Sequence, residues 1–261
     1  MIANSLFSRQ SKAKGFTPTP NFGVSLQGKR GFTLLELLIV ITILAILAVI
    51  IIFVLNPAET LRKSRDVQRM SDLATLKNSI ALYMTTVSSA TLGSTDDTGT
   101  NPRTNFSNTA CQSTLGTFTV GEDRIYYSLA DGTVISDNTL DDTTFTAGFG
   151  ATQVSSAYNS LTDGTGWIPV KLSNIVGGTP ISNLPVDPTN TITTESTVAF
   201  TDLVYRYACS NVSGILHYEI NAALESTEFA GKLTQDGGDN SSLYESGTSV
   251  LILGPGSTNQ F

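Results

Sequence analysis

The stretch Leu37–Leu55, LLIVITILAILAVIIIFVL, runs for 19 residues without a charge, and 16 of them are Leu, Ile, Val or Phe. As a helix rising about 1.5 Å per residue it is roughly 28 Å long, close to the ~30 Å hydrocarbon core of a bilayer. At about 0.3–0.6 kcal/mol per side chain of this kind, insertion is favoured by roughly 5–10 kcal/mol. Buried core helices of soluble proteins have shorter apolar runs, so the stretch reads as a membrane span. Glu36 stands directly before it. An acid costs about 2.5–3.5 kcal/mol even at the bilayer centre. The span therefore inserts in spite of Glu36, and insertion gives no reason for the residue to be there.

Charge divides the chain at the same place. Residues 1–31 carry Arg9, Lys12, Lys14, Lys29 and Arg30 and no acid, which leaves ten basic and 22 acidic side chains for the rest. Lys29 and Arg30 adjoin the span, and the positive-inside bias then puts residues 1–31 in the cytoplasm and residues 56–261 outside. After Leu55 the chain continues NPAETLRKSRD, with no small-residue cleavage site of the A-x-A kind, so an ordinary secretory signal peptide is not expected. The acidic body lacks the basic surface that nucleic-acid binding requires. Its low content of charged residues, 14%, with abundant Ser, Thr, Gly and Asn, suits an exported, loop-rich β domain.

The stretch KRGFTLLELLIVITILAIL, residues 29–47, resembles the amino-terminal signature of type IV pilins and type II secretion pseudopilins. The resemblance implies cleavage after Gly31 by prepilin peptidase and N-methylation of the new terminus, Phe32. It also implies a glutamate at the fifth mature position, which is Glu36. The fold implied is α+β, with a long amino-terminal transmembrane and amphipathic helix packed on a small antiparallel sheet. The expected division is a cytoplasmic leader 1–31, a helix over 32–86 with its membrane span at about 32–55 and its amphipathic half at 57–86, and an extracytoplasmic β-rich domain over 87–261. The implied function is structural: a subunit of a type IV pilus-like or pseudopilus filament, built through its apolar helix after processing. Its partners would be copies of itself and other pilin-like subunits, prepilin peptidase, membrane lipid, and an assembly platform with its ATPase. It would be a single-pass cytoplasmic-membrane protein that becomes extracellular or periplasmic on assembly. Two features depart from the family pattern: the leader is long for a mature chain beginning with Phe, and Pro57 falls later in the helix than usual.

In such a filament, Glu36 would face the free amine of Phe32 on a neighbouring subunit. Breaking a charge pair in a low-dielectric core costs about 3–5 kcal/mol, so Glu36 would set the register. The competing reading of the chain is a membrane-anchored extracellular module, binding or enzymatic, that never polymerises.

Beyond the span, NPAE at 56–59 reads as a helix restart, with Asn56 as cap, Pro57 in the first turn and Glu59 completing a capping-box pattern. The alternative is one continuous helix kinked at Pro57. Met70, Leu73, Leu76, Ile80 and Tyr83 form one apolar stripe that carries the helix to about Thr85. Arg62, Lys63, Arg65, Asp66, Arg69, Asp72 and Lys77 fall on the other faces and read as a solvated surface. Residues 87–116 read as a long surface loop. Hairpins are predicted at Asp131-Gly132 and around Asn211-Val212-Ser213. The intervening proline-punctuated stretch, 166–190, reads as loop, and so does the glycine-rich tail after Thr234.

The two cysteines, Cys111 and Cys209, both fall on the exported side, where an even count points to one disulfide. Such a bond closes a loop of about 99 residues and contributes roughly 4–5 kcal/mol in the chain-entropy model. Two free thiols are the alternative. His217 is the only histidine and falls in a predicted strand. No G-x-S-x-G, H-E-x-x-H, C-x-x-C or Walker pattern accompanies it, and neither GFGATQ nor GPGSTN completes a dinucleotide fingerprint. No catalytic residue, metal or cofactor is therefore assigned. Asp236 and Asp239 in QDGGDN read as a solvated turn rather than a calcium loop, because their spacing is not that of an EF-hand.

Overall fold

The computed structural model describes residues 31–95, 104–116, 124–129, 160–192 and 198–254. The leader, the Asp131-Gly132 turn and the GFGATQ and GPGSTN stretches lie outside the described residues. The chain divides into two units, residues 1–54 and 55–261.

The first unit is built around helix α1, Leu34–Leu55, in which no residue is buried. Thr33 precedes its first turn and accepts the Glu36 N–H on Oγ1 at 3.2 Å. Thr33 is thus the N-cap, and Glu36 occupies the third helical position, the T-x-x-E spacing of a capping box. The helix is apolar on every side, which in an α-helix means burial on all sides or a place in lipid.

The second unit begins with a restart. Asn56 has φ +36° and ψ +73°, a left-handed conformation that interrupts helical geometry, and its side chain accepts the Glu59 N–H. Pro57, which has no N–H to satisfy, opens helix α2, Pro57–Thr86. The helix ends where Val87 turns extended, its N–H still bonded to Tyr83 O.

Among the described residues four antiparallel strands follow in the order β1-β2-β3-β4: β1 Ile125–Tyr127, β2 Tyr205–Val212, β3 Ile215–Ala222 and β4 Tyr244–Gly247. The predicted β2–β3 hairpin is present, but its turn is one step later than the sequence implied. Val212 pairs with Ile215, and Ser213 and Gly214 form a two-residue loop, both at positive φ. Two positive φ values are what a tight turn of the I′ kind demands, and glycine supplies one without steric cost.

Strand alternation gives the sheet two faces. Tyr205, Tyr207, Tyr218 and Ile220 point to one side and meet Leu73, Leu76, Ile80 and Tyr83 of α2 in the main core. Ala208 on the other face joins Ile125, Tyr127, Val204, Ile252 and Leu253 in a second, smaller core. Of three stretches read as loop, one stays loop but is partly buried, and two are corrected. Residues 166–190 contain no strand, yet Trp167, Ile168, Val170, Leu172, Ile175 and Leu184 fill the main core. In the stretch 87–116, Leu92, Ser94 and Ala110–Gln112 are buried. The Tyr207 hydroxyl donates to Leu92 O and the Tyr126 hydroxyl to Ser94 O, at 2.8 and 3.0 Å. The tail contributes β4, and its Ile252 and Leu253 are buried.

Candidate functional site

Gly31, Phe32 and Glu36 fall at the entrance to α1. Phe32 is 79% exposed, and a Cβ built on Gly31 would meet nothing within 4 Å. The peptide bond between them is thus sterically open on both sides. Glu36 is the only acid in α1 and lies in its first turn, where the helix dipole favours a negative charge by about 0.3–1 kcal/mol. The sequence reading missed this capping role. The signal was there as Thr33 three residues before Glu36.

The second constellation was assigned to solvent from sequence, and the structure overturns that. Asp66 and Arg69 on α2 are fully buried. Arg69 Nε and Nη2 form a fork onto the two carboxylate oxygens of Asp187, at 2.6 and 2.9 Å. Nη1 reaches Asp66 at 2.8 Å and Glu225 at 2.7 Å, and Nη2 also reaches the Thr189 hydroxyl. Asp66 accepts the N–H groups of Glu225 and Ser226, and Asp187 those of Thr189 and Asn190. Arg65 makes its own fork onto Glu225 at 2.6 and 2.8 Å. Every member is thus doubly held, as buried charges must be if the cluster is not to destabilise the fold.

The electrostatics follow from that geometry. Arg65, and then Arg69, hold the Glu225 carboxyl down to about 2. Burial works against the Arg69 charge, but Asp187, Glu225 and Asp66 outweigh it and raise its pKa. The cluster joins α2 to the 185–190 and 223–227 loops. The only sequence hints were the i, i+3 spacing of Asp66 and Arg69 and the isolated Asp187 in LPVDPTN.

Cys111 and Cys209 are bonded, with Cα atoms 4.8 Å apart across 98 residues. The bond joins the short 3-10 turn Asn108–Ala110 to β2, beside a parallel bridge between Gln112 and Ser210. His217 is half-buried on β3, opposite Ser210. Asp236 accepts the N–H groups of Gly238 and Glu245, so it braces a turn.

Residues 26–52 match the family model of the prokaryotic N-terminal methylation motif. Neither the curated proteins nor the solved structures yielded a match. With an apolar helix that has no buried residue behind an open Gly31–Phe32 bond and a four-stranded antiparallel sheet after it, the chain carries the signature of the type IV pilins and pseudopilins.

Proposed function

We propose that this chain is a structural filament subunit, cut after Gly31, methylated on Phe32 and polymerised through α1. One observation carries the reading: the methylation motif, residues 26–52, runs through most of a 22-residue apolar helix in which no residue is buried. Such a helix needs lipid before assembly and identical neighbours afterwards. The body outside the span supports a structural role, since its buried Asp66–Arg69–Asp187 cluster is engaged in holding α2 and the loops together. Glu36 then has a task that insertion does not give it. The amine of Phe32 exists only after cleavage, so a Glu36–Phe32 pair between neighbours makes growth conditional on processing. An uncut subunit would bring five uncompensated basic residues toward the apolar core, at prohibitive desolvation cost.

The test combines two substitutions. Gly31→Leu should leave the leader attached, so that the membrane form still begins at Met1. Glu36→Val should give a cleaved, membrane-inserted monomer that is missing from sheared filaments. Wild-type filament yield from Glu36→Val subunits would remove the charge from the mechanism. An intact Met1 on the wild-type membrane protein would favour the anchored module that does not polymerise.

A further inference from the structure

The second face of the sheet holds two glutamates that the filament role does not use. Asn221 pairs with Glu245 and Glu219 with Gly247. Glu219 and Glu245 therefore sit diagonally on one face of neighbouring strands, within reach of long side chains. Glu219 is 0% exposed and Glu245 2%. Glu219 Oε2 accepts the N–H groups of Ile252 and Leu253 at 2.8 and 3.0 Å. Glu245 Oε2 accepts the Asn240 N–H at 2.9 Å. The remaining oxygen of each, Oε1, is buried and has no N–H or O–H donor. Among the described residues no ion pair reaches either glutamate. The charged groups that act on them are also acidic, Asp239 on Glu219 and Asp236 on Glu245. Adjacent buried carboxylates without a cation cannot both ionise.

We propose that Glu219 and Glu245 share one proton between their Oε1 atoms, and that this proton latches the carboxyl-terminal segment around Ile252 and Leu253 onto the sheet. A proton on Glu245 turns its Oε1–H into a donor to Glu219 Oε1 and leaves Oε2 free to accept from Asn240. Glu219 stays ionised and keeps both N–H groups of the tail. When hydroxide removes that proton as water, two anions face each other in a dry site. Opening the tail then relieves them by admitting solvent. Burial, and then Glu219 itself, push the Glu245 carboxyl far up, and burial raises Glu219 as well. The closed state therefore holds one proton more than the open state across neutral pH, and the opening equilibrium rises by up to about tenfold per pH unit.

The experiment is amide hydrogen exchange at Ile252 and Leu253 in the full chain in detergent, corrected for intrinsic rates, between about pH 5 and about pH 9. Wild type should show opening that grows by up to about tenfold per unit. In Glu245→Gln the amide N–H2 replaces the acid as donor, so protection should persist without the slope. An infrared band of a protonated carboxyl should be present in the wild type at neutral pH and missing from that variant. This second reading holds even if the variant folds poorly. A flat wild-type profile, an unchanged slope in Glu245→Gln, or no protonated-carboxyl band would overturn the latch. Protection that collapses on chelation and returns with millimolar calcium would overturn it too, since a cation rather than a proton would then join the pair.

Discussion

Replacing Arg69 by Met removes the centre of the buried ionic cluster while keeping much of the side chain's volume. Five hydrogen bonds disappear with the guanidinium, two of them the fork onto Asp187. Each bond to a charged group has a net worth of about 1.5–3 kcal/mol, but they do not add, because the desolvation of Arg69 is recovered at the same time. What remains is Asp66, Asp187 and Glu225 close together. Asp66 and Asp187 keep backbone N–H partners, and Glu225 keeps Arg65. The expected loss is thus that of a broken buried pair, about 3–5 kcal/mol, a large share of the roughly 5–15 kcal/mol available to a domain. Arg69→Lys should recover little, because an ammonium cannot reproduce the fork. The assay is urea unfolding of the full chain in detergent, followed by fluorescence. Trp167 is the single tryptophan, is fully buried, and donates to Pro185 O at 2.9 Å, two residues before Asp187. Its emission therefore reports on the loop that Arg69 holds. In a double-mutant cycle, Asp187→Asn should cost less in the Arg69→Met background than alone. A loss below about 1 kcal/mol for Arg69→Met, or wild-type stability in Arg69→Lys, would refute the view that this cluster fixes α2 to the loops.

Reduction of Cys111–Cys209, or a Cys111→Ser/Cys209→Ser double variant, should lower stability by about 4–5 kcal/mol in the chain-entropy model; an unchanged urea midpoint after confirmed reduction would contradict this. The Glu225 carboxyl is held down to about 2, so its contribution is fully present above the ordinary carboxylate value and lost as pH falls through about 4 toward 2. Melting temperature against pH should therefore be flatter in Glu225→Gln than in wild type on that acid limb. The Glu219–Glu245 pair has the opposite sign: its raised value makes the stabilisation complete near pH 4 and progressively lost as pH rises toward about 10. Wild type should then be most stable in mildly acidic solution, and Glu245→Gln should remove the alkaline decline.

The elements most legible in the sequence were those set by an uninterrupted period. Helix α1 declared itself by the length of its apolar run, and α2 by a 3-4 stripe that the structure buries from Leu73 to Tyr83. The β2–β3 hairpin was visible in its β-prone flanks, although its turn was misplaced because Ser213 does not advertise a positive φ. The second core was hidden for a definite reason. Arg206, Ser210, Glu219 and Asn221 alternate with the tyrosines, a polar pattern that ordinarily faces water, yet all four are buried. The cover is partly Ile252 and Leu253, from a tail whose glycines imply a loop. Arg69 was misread similarly. A charge on a helix reads as solvated unless its partners are visible, and its main partner lies 118 residues away. At the entrance to α1, by contrast, everything needed was local.

The contacts along α2 also determine how the domain carries mechanical load. Glu59 holds the Thr227 N–H, Asp66 and Arg69 form the ionic cluster, Asp72 accepts from the Tyr205 hydroxyl, and Lys77 O accepts from the Tyr218 hydroxyl. These anchors are spaced from Glu59 to Lys77 along one helix and end on the 223–227 and 185–190 loops and on strands β2 and β3, so no single one lies at the head of the others. A pull along the helix axis therefore acts on them together, in shear, like rivets along a seam. A pull across the axis would strip them one by one. In this arrangement the polar contacts along α2, more than the greasy core beneath it, set the direction in which the domain is strongest.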